Sequence, residues 1–595
     1  MQLQRALRLV WQTARYWTLV NTLLVVIQGT LPLAALYLMK RLLDAVSASL
    51  SGPKTALNFQ PVLFWIIMAA AVAVLTAVIR SISEYAAEAQ SEQVTDEVAD
   101  ILHAQSIAVD LDYYEESSFY DTLHRAQKEA PYRPTRIVNG LIQIAQNSIS
   151  LLGILGLLFT FNGLLAVVLL LAAMPSVFVR LRFSKRMFGF QQRQTESERR
   201  AWYYHTILTD VPYAKEIRLY NLGDMFKLRY RDLRDEIRTG KLMISGQRVR
   251  ADLSAQLLST FALFGSLVWI AWQTFQGSVS LGDLLIYYLG FQNGLNYFQA
   301  VLRSLAGLYE DNLFLTSFYQ FLDLTPGIVS PVSPRVVPQP MQKGITFSNV
   351  SFTYPSRQVE ALNGINLSLA PGEVIALVGE NGSGKTTLIK LLCRLYDPSA
   401  GNIQVDGIDL CEMDPIQWRK ELGVTFQDYA HYALTAQENI WLGDNTTPPE
   451  LDGIAAAGKR SGAHQFIQRL PQQYDTQLGQ WFKQGQELSG GEWQKIALAR
   501  SFWRDARILI LDEPTSALDP LAEEALFREF RAMLEGEARS AILISHRFST
   551  VQMADKIYVM EQGQIVENGT HADLIALNGR YAHLYNAQAQ YYVEK

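Results

Sequence analysis

Val374-Ile375-Ala376-Leu377-Val378 runs directly into Gly379-Glu380-Asn381-Gly382-Ser383-Gly384-Lys385-Thr386-Thr387. The apolar run reads as a strand buried on both faces of a parallel sheet. The spacing after it, G-x-x-x-x-G-K-[ST], is that of a loop cradling phosphate between a strand and a helix. Its glycines let successive backbone N–H groups turn inward around an anion. Lys385 can then reach the outer phosphates, and the Thr386 hydroxyl is placed to ligate Mg²⁺. A Gly-rich turn without function would not need the strand in front of it.

Two further stretches of this part carry chemistry. Ile508-Leu509-Ile510-Leu511-Asp512-Glu513 is a second buried strand, ending in two carboxylates. Asp512 is suited to hold Mg²⁺ through water and Glu513 to polarise an attacking water. Alternatively, both acids merely cap the helix that Pro514 begins. Leu488-Ser489-Gly490-Gly491-Glu492 reads as a helix start, with Ser489 as N-cap and Glu492 at the capping-box position. Such an N-terminus binds anions. A second phosphate site has a use only where two chains meet, so a capped helix is the competing reading.

The rest of the chain is different. Of 595 residues 49% are hydrophobic and 18% charged, against ~25% charged in a typical soluble domain. That excludes a disordered chain, a collagen repeat or a disulfide scaffold. Residues 1–340 hold 30 Lys+Arg and 26 Asp+Glu, a net of +4, which leaves −9 of the total −5 for the remainder. The acidic C-terminal part lacks the basic footprint of a nucleic-acid binder. Only Cys393 and Cys411 occur, which fits a reducing cytosol.

Arg5, Arg8 and Arg15 precede an apolar run too long for a secretory signal, with no small-residue cleavage site after it. Six such runs appear, near 17–38, 61–80, 141–161, 164–180, 255–275 and 281–303, the last being the most polar. About 20 apolar residues cross a ~30 Å hydrocarbon core. The fourth and fifth runs enclose residues 180–252 with 17 Lys+Arg, whereas Asn162-Gly163 and Gln276-Gly277-Ser278 join their neighbours without charge. Positive charge marks the cytoplasmic side, so an even number of spans puts both termini in the cytosol. No Gly or Pro lies between Pro61 and Pro131, and the second span is expected to continue as helix through Ser81–Ala108. A separate small cytoplasmic domain is the alternative. Pro326, Pro331, Pro334, Pro338 and Pro340 then mark a linker. The expected organisation is a six-helix transmembrane domain over 1–324, a linker over 325–340 and an α/β phosphate-loop domain over 341–595.

Phosphate loop, LSGGE, ILILDE and Ser545-His546-Arg547, in that order, resemble the ATP-binding cassette proteins. Further matches are Tyr354 in Ser351-Phe352-Thr353-Tyr354-Pro355, Gln427 in Thr425-Phe426-Gln427-Asp428, and Ser516-Ala517-Leu518-Asp519. Six spans followed by one cassette look like an exporter-type half-transporter. The resemblance implies an ATP-hydrolysing exporter that works by alternating access as a homodimer in a lipid bilayer, expected to be a bacterial inner membrane. It implies ATP and Mg²⁺ as cofactors, with Thr386, Gln427 and Asp512 around the metal. Tyr354 would stack on adenine, and Gly379, Asn381, Gly382, Ser383, Gly384, Lys385, Thr386 and Thr387 would hold the phosphates. Glu513 and His546 would be catalytic and Asp519 would support the dimer interface. Ser489, Gly490 and Gly491 would meet the γ-phosphate on the facing subunit.

Two departures stand out. The signature ends in Glu492 where Gln is usual, and Gln480 in Leu478-Gly479-Gln480-Trp481-Phe482 replaces an acid expected to touch the membrane domain. Asp112-Tyr113-Tyr114-Glu115-Glu116 with Phe119-Tyr120-Asp121-Thr122-Leu123, and Lys215-Glu216-Ile217-Arg218-Leu219-Tyr220, resemble the two coupling segments of half-transporters that export bacteriocins and lantibiotics. A peptide is therefore the expected cargo, with a multidrug or lipid exporter, or an importer on the same architecture, as alternatives. A gated channel is disfavoured by the presence of Glu513 and His546, and a soluble cassette acting on DNA or ribosomes by the six runs. No cysteine precedes Cys393, so no thiol for leader cleavage is expected ahead of the first span. Tyr287, Tyr288, Gln292, Asn293, Asn296, Tyr297 and Gln299 make the sixth run polar, either as a cargo surface or as helix–helix glue.

Overall fold

The computed structural model describes residues 2–593 apart from 51–55, 116–132, 162, 278, 356, 517, 538 and 546. The chain divides into two compact units, Met1–Ile107 with Asp121–Leu324, and Ala108–Tyr120 with Thr325–Lys595.

The first unit is helical. Its described helices are α1 (Gln2–Thr13), α2 (Arg15–Leu50) and α3 (Ala56–Ala108); a short α4 (Leu111–Glu115) follows and belongs to the second unit. Then come α5 (Arg133–Phe161), α6 (Gly163–Thr209), α7 (Ala214–Leu219), α8 (Gly223–Phe275) and α9 (Leu281–Leu322). By length and composition, α2, α3, α5, α6 and α8 hold stretches able to cross a membrane. The sixth apolar run lies in α9, whose polar residues keep it below the other five. At 53 residues each, α3 and α8 are far longer than a bilayer requires. Ser81–Ala108 continues α3 without a break, so no separate small domain forms there.

Small and polar residues bring these helices together, as expected where apolar surface alone gives little preference for helix over lipid. A Cβ on Gly29 of α2 would meet Ile149 Cγ2 of α5 at 2.8 Å, and Ser150 donates to the Gly29 carbonyl at 2.8 Å. Buried Asn21 donates to Gln90 at 2.7 Å, and Gln90 to Thr18 at 2.8 Å. In the sixth run Tyr287 is buried with Ile154, Leu158 and Phe291, whereas Gln292 and Asn296, one turn apart, are exposed.

The second unit holds two sheets. An antiparallel sheet orders β2 (Leu362–Leu369), β1 (Ile345–Phe352), β4 (Ala400–Val405) and β5 (Ile408–Asp409). The other orders β10 (Gln564–Gly569), β9 (Lys556–Glu561), β3 (Val374–Val378), β8 (Ser540–Ile544), β7 (Ile508–Asp512) and β6 (Leu422–Thr425). Strands β9, β3, β8, β7 and β6 run parallel. Every residue of β7 and β8 is buried, which is why they read as unbroken apolar runs. Between β6 and β7 lie short helices over Ala436–Trp441, Leu451–Arg460 and His464–Ile467, which pack with Gly490–Trp503 around a core shared with one face of β7 and β8.

Candidate functional site

Parallel strands deliver their successor loops to one edge of the sheet, where open α/β folds bind ligands. Here β3 is followed by the phosphate loop, β8 by Ser545, β7 ends in Asp512 with Glu513 next, and β6 is followed by Gln427. Because β3, β8, β7 and β6 are consecutive neighbours, residues more than a hundred positions apart meet at that edge.

The loop closes onto helix α10 (Lys385–Leu392). Gly384 sits at φ +105°, and a Cβ there would meet Leu362 Cδ2 at 2.6 Å and the Ala361 carbonyl oxygen at 2.9 Å. Only glycine satisfies both demands. Asn381 and Gly382 are exposed at the tip, whereas Ser383, Lys385 and Thr387 are buried. The Lys385 ammonium donates to the carbonyls of Gly379 and Glu380 at 2.8 and 2.9 Å and to Ser383 Oγ at 3.4 Å. Burial pulls its pKa below the usual lysine value, against the pull of Asp512 and Glu513. A buried cation held by neutral carbonyls gains from an anionic oxygen brought to the loop.

Thr386 Oγ1 donates to Asp512 Oδ2 at 3.0 Å. Burial pushes the Asp512 carboxyl up to about 6; the Thr386 bond opposes this and neighbouring Glu513 adds to it. Gln427 Nε2 donates to Glu513 Oε2 at 2.9 Å. Glu513 adopts φ +52°, a left-handed conformation that costs a non-glycine residue energy and is found where function requires it. Its backbone is fixed from two sides: the N–H donates to Ile544 at 2.8 Å, and the carbonyl accepts from Gln494 at 2.9 Å. Thus loop, acids and amide form one connected polar group.

Ser489 caps helix α11 (Gly490–Trp503). Its hydroxyl and its N–H both donate to Glu492 Oε2 at 2.8 Å, and the Glu492 N–H donates back to Ser489 Oγ at 3.4 Å. The residue that departs from the usual signature is therefore the one that holds the signature serine. Asp519 accepts from the N–H groups of Leu521 and Ala522 at 3.1 and 2.9 Å, opening helix α12 (Pro520–Glu537). Tyr354 is half-buried, with its hydroxyl 3.0 Å from Thr387 Oγ1. His546 and Ala517 lie outside the described residues, as do Phe119–Leu123. Beside His546, Arg547 is hydrogen-bonded to Glu523, and its N–H donates to Ser545 Oγ at 2.9 Å.

Several participants escaped the sequence reading. Gln494 supports Glu513, Tyr429 donates to the Gly490 carbonyl at 3.1 Å, and the His431 ring stacks on Trp493 at 4.4 Å. These three tie the Gln427 loop and the acidic strand end to the signature helix. Their only sequence signal was proximity to recognised motifs. The Leu478–Phe482 segment makes a tight excursion, closed by the Gly479 N–H donating to Gln486 at 2.8 Å, that leaves Trp481 84% and Phe482 55% exposed.

Residues 362–516 match the family described as ABC transporter, and residues 18–296 match the ABC transporter transmembrane region. The subtilin transport ATP-binding protein SpaT of Bacillus subtilis is 34% identical over 472 residues, covering 78% of this chain and 75% of that one. The nisin transport ATP-binding protein NisT of Lactococcus lactis subsp. lactis is 30% identical over 590 residues, 98% of this chain and 96% of that one. In fold, the chain resembles the structure of a bacterial Atm1-family ABC exporter with ATP bound, with a TM-score of 0.83 at 24% identity over 97% of this chain and 98% of that one. With both halves matched, and phosphate loop, acids and amide gathered at one sheet edge, the chain belongs to the ABC transporter family, as a transporter that carries its own ATPase in the same polypeptide.

Proposed function

We propose that two copies of this chain form an ATP-driven peptide exporter of a bacterial inner membrane, with both termini cytoplasmic. The observation that carries the ATPase half is the connected group Lys385, Thr386–Asp512 and Gln427–Glu513. In this reading Tyr354 stacks the adenine, residues 379 and 381–387 hold the phosphates, and Glu513, oriented by Gln427, polarises the attacking water beside His546. The Thr386 hydroxyl, the Asp512 carboxylate and the Gln427 amide are hard oxygen donors of the kind Mg²⁺ prefers alongside phosphates. Bound there, Mg²⁺ would neutralise phosphate charge. Residues 1–324 form the transmembrane domain, 325–340 the linker and 341–595 the cassette.

Peptide cargo is supported by the names of two relatives, which concern subtilin and nisin transport. Exposed Gln292 and Asn296 on α9 support a polar surface within the membrane domain, since polar groups at that depth face protein or water. A homodimer is supported by one sequence containing Lys385, Gln427, Ser489, Asp512, Glu513 and His546 without degeneracy. Ser489, Gly490 and Gly491 then close over the partner's ATP, with Asp519 at the interface.

Co-expression of Lys385→Ala and Ser489→Arg chains tests shared sites. Each variant alone is expected to be inactive. Mixed dimers carry one doubly damaged and one intact site, so part of the ATPase activity should return where sites are shared and can fire singly. An active monomer, or an obligate different partner chain, refutes sites shared between two copies. ATP-dependent uptake of a cationic bacteriocin-type peptide into inside-out vesicles tests cargo and direction. Uptake of a fluorescent lipid or dye in its place would favour the alternatives.

A further inference from the structure

The segment carrying α4 belongs to the cassette unit, and three contacts hold it there. Asp110 accepts from the Gly327 N–H at 2.5 Å and from the Ile328 N–H at 3.3 Å. Leu111 packs against the cassette core. Glu115, the last residue of α4, accepts from the Lys390 ammonium at 2.7 Å. Lys390 lies in the last turn of α10, the helix that starts at the phosphate loop. It is three residues after Thr387, so both point from one helix face. Thr387 meets the Tyr354 hydroxyl, and the Lys390 ammonium lies 5.6 Å from the Tyr354 ring centroid and 5.7 Å from that of Tyr396. The two rings meet edge-on at 5.5 Å. One ammonium is thus shared between a carboxylate of the first cytoplasmic segment and the aromatic ring proposed to receive the base.

We propose that Lys390 is a positioning residue that links occupancy of the base site at Tyr354 to the α4 segment through Glu115. This rests on the reading of Tyr354 as the adenine platform. A cation beside an aromatic ring is attracted by its π-face, so Lys390 helps to set the ring against which a base stacks. Glu115 sets where Lys390 can be. Coupling between two sites is reciprocal: a change at Glu115, which touches no nucleotide in this reading, alters affinity for the base, and a bound base alters the hold on α4. A ligand with phosphates but no base does not feel the link.

The test uses the full chain in lipid nanodiscs, with Lys390→Met, Lys390→Arg, Glu115→Gln and Glu115→Asp. ATPase activity gives KM and kcat for ATP, and inhibition by inorganic tripolyphosphate reports the phosphate loop alone. Lys390→Met and Glu115→Gln should each raise KM for ATP by about 5- to 10-fold, at the lower end of typical coupling between sites. Turnover should stay within about twofold and tripolyphosphate inhibition should not change. Lys390→Arg and Glu115→Asp, which keep both charges, should restore most of the affinity. The proposal is overturned if Glu115→Gln leaves KM unchanged while Lys390→Met raises it. It is equally overturned if tripolyphosphate inhibition weakens in step, which would make Lys390 a support of the phosphate loop. An inactive wild-type chain would instead count against the ATPase reading.

Discussion

Asp512→Asn should stabilise the nucleotide-free protein while removing its activity. Asp512 is 2% exposed, and burial raises its pKa from 3.8 to about 6. The folded state therefore holds this proton more tightly than the unfolded chain does. The stability the group contributes is fully present below about pH 4 and is lost as pH rises through about 6. Two pKa units at ~1.36 kcal/mol each put the cost at pH 7.5 near 3 kcal/mol. Asparagine has nearly the same shape, and its Oδ1 still accepts from Thr386, but it carries no charge to desolvate. The expected gain is about 2–3 kcal/mol at pH 7.5, falling to about half by pH 5, where the wild-type carboxyl is mostly protonated. For a unit of this size, that is a rise of roughly 5–10 °C in the cassette transition. Thermal unfolding of the full chain by intrinsic fluorescence, with EDTA and without nucleotide, measures it at both pH values. Added ATP and Mg²⁺ should raise the wild-type transition and leave the variant nearly unmoved. A variant no more stable than wild type at pH 7.5, or a gain independent of pH, would refute the argument that this carboxylate is held at a desolvation cost.

Glu513→Gln keeps the shape and the contact with Gln427 but loses the charge proposed to orient water. ATP binding should persist in equilibrium titrations, and turnover should fall by at least ~10²-fold; wild-type turnover would remove Glu513 from the chemistry. Glu492→Gln removes a carboxylate that both accepts the Ser489 hydroxyl and stands where the proposed partner's γ-phosphate arrives. Steady-state ATPase should show KM for ATP falling by about 2- to 5-fold, since an exposed like-charge contact is worth under ~1 kcal/mol. An unchanged or raised KM would mean that the capping bond matters more than the charge.

What could be read along the chain was what local physics determines. Val374–Val378 and Ile508–Asp512 announced buried parallel strands because burial on both faces leaves no polar alternation. The phosphate loop was legible because it needs glycines and a lysine at fixed spacing. An unbroken α3 followed from the lack of Gly and Pro after Pro61. The polar residues of the sixth run could not be sorted, because one periodic pattern serves both packing and exposure. Only packing against other helices separates buried Tyr287 from exposed Gln292 and Asn296. Tertiary structure alone decided the strand order that sets Gln427 against Glu513, the left-handed turn of Glu513 and the support from Gln494. It alone placed Glu115 on Lys390, across 275 positions. A charged or amide side chain has the same local signature whether it faces water or a distant partner. Its role is fixed only when the sheet order and the helix faces bring that partner within reach.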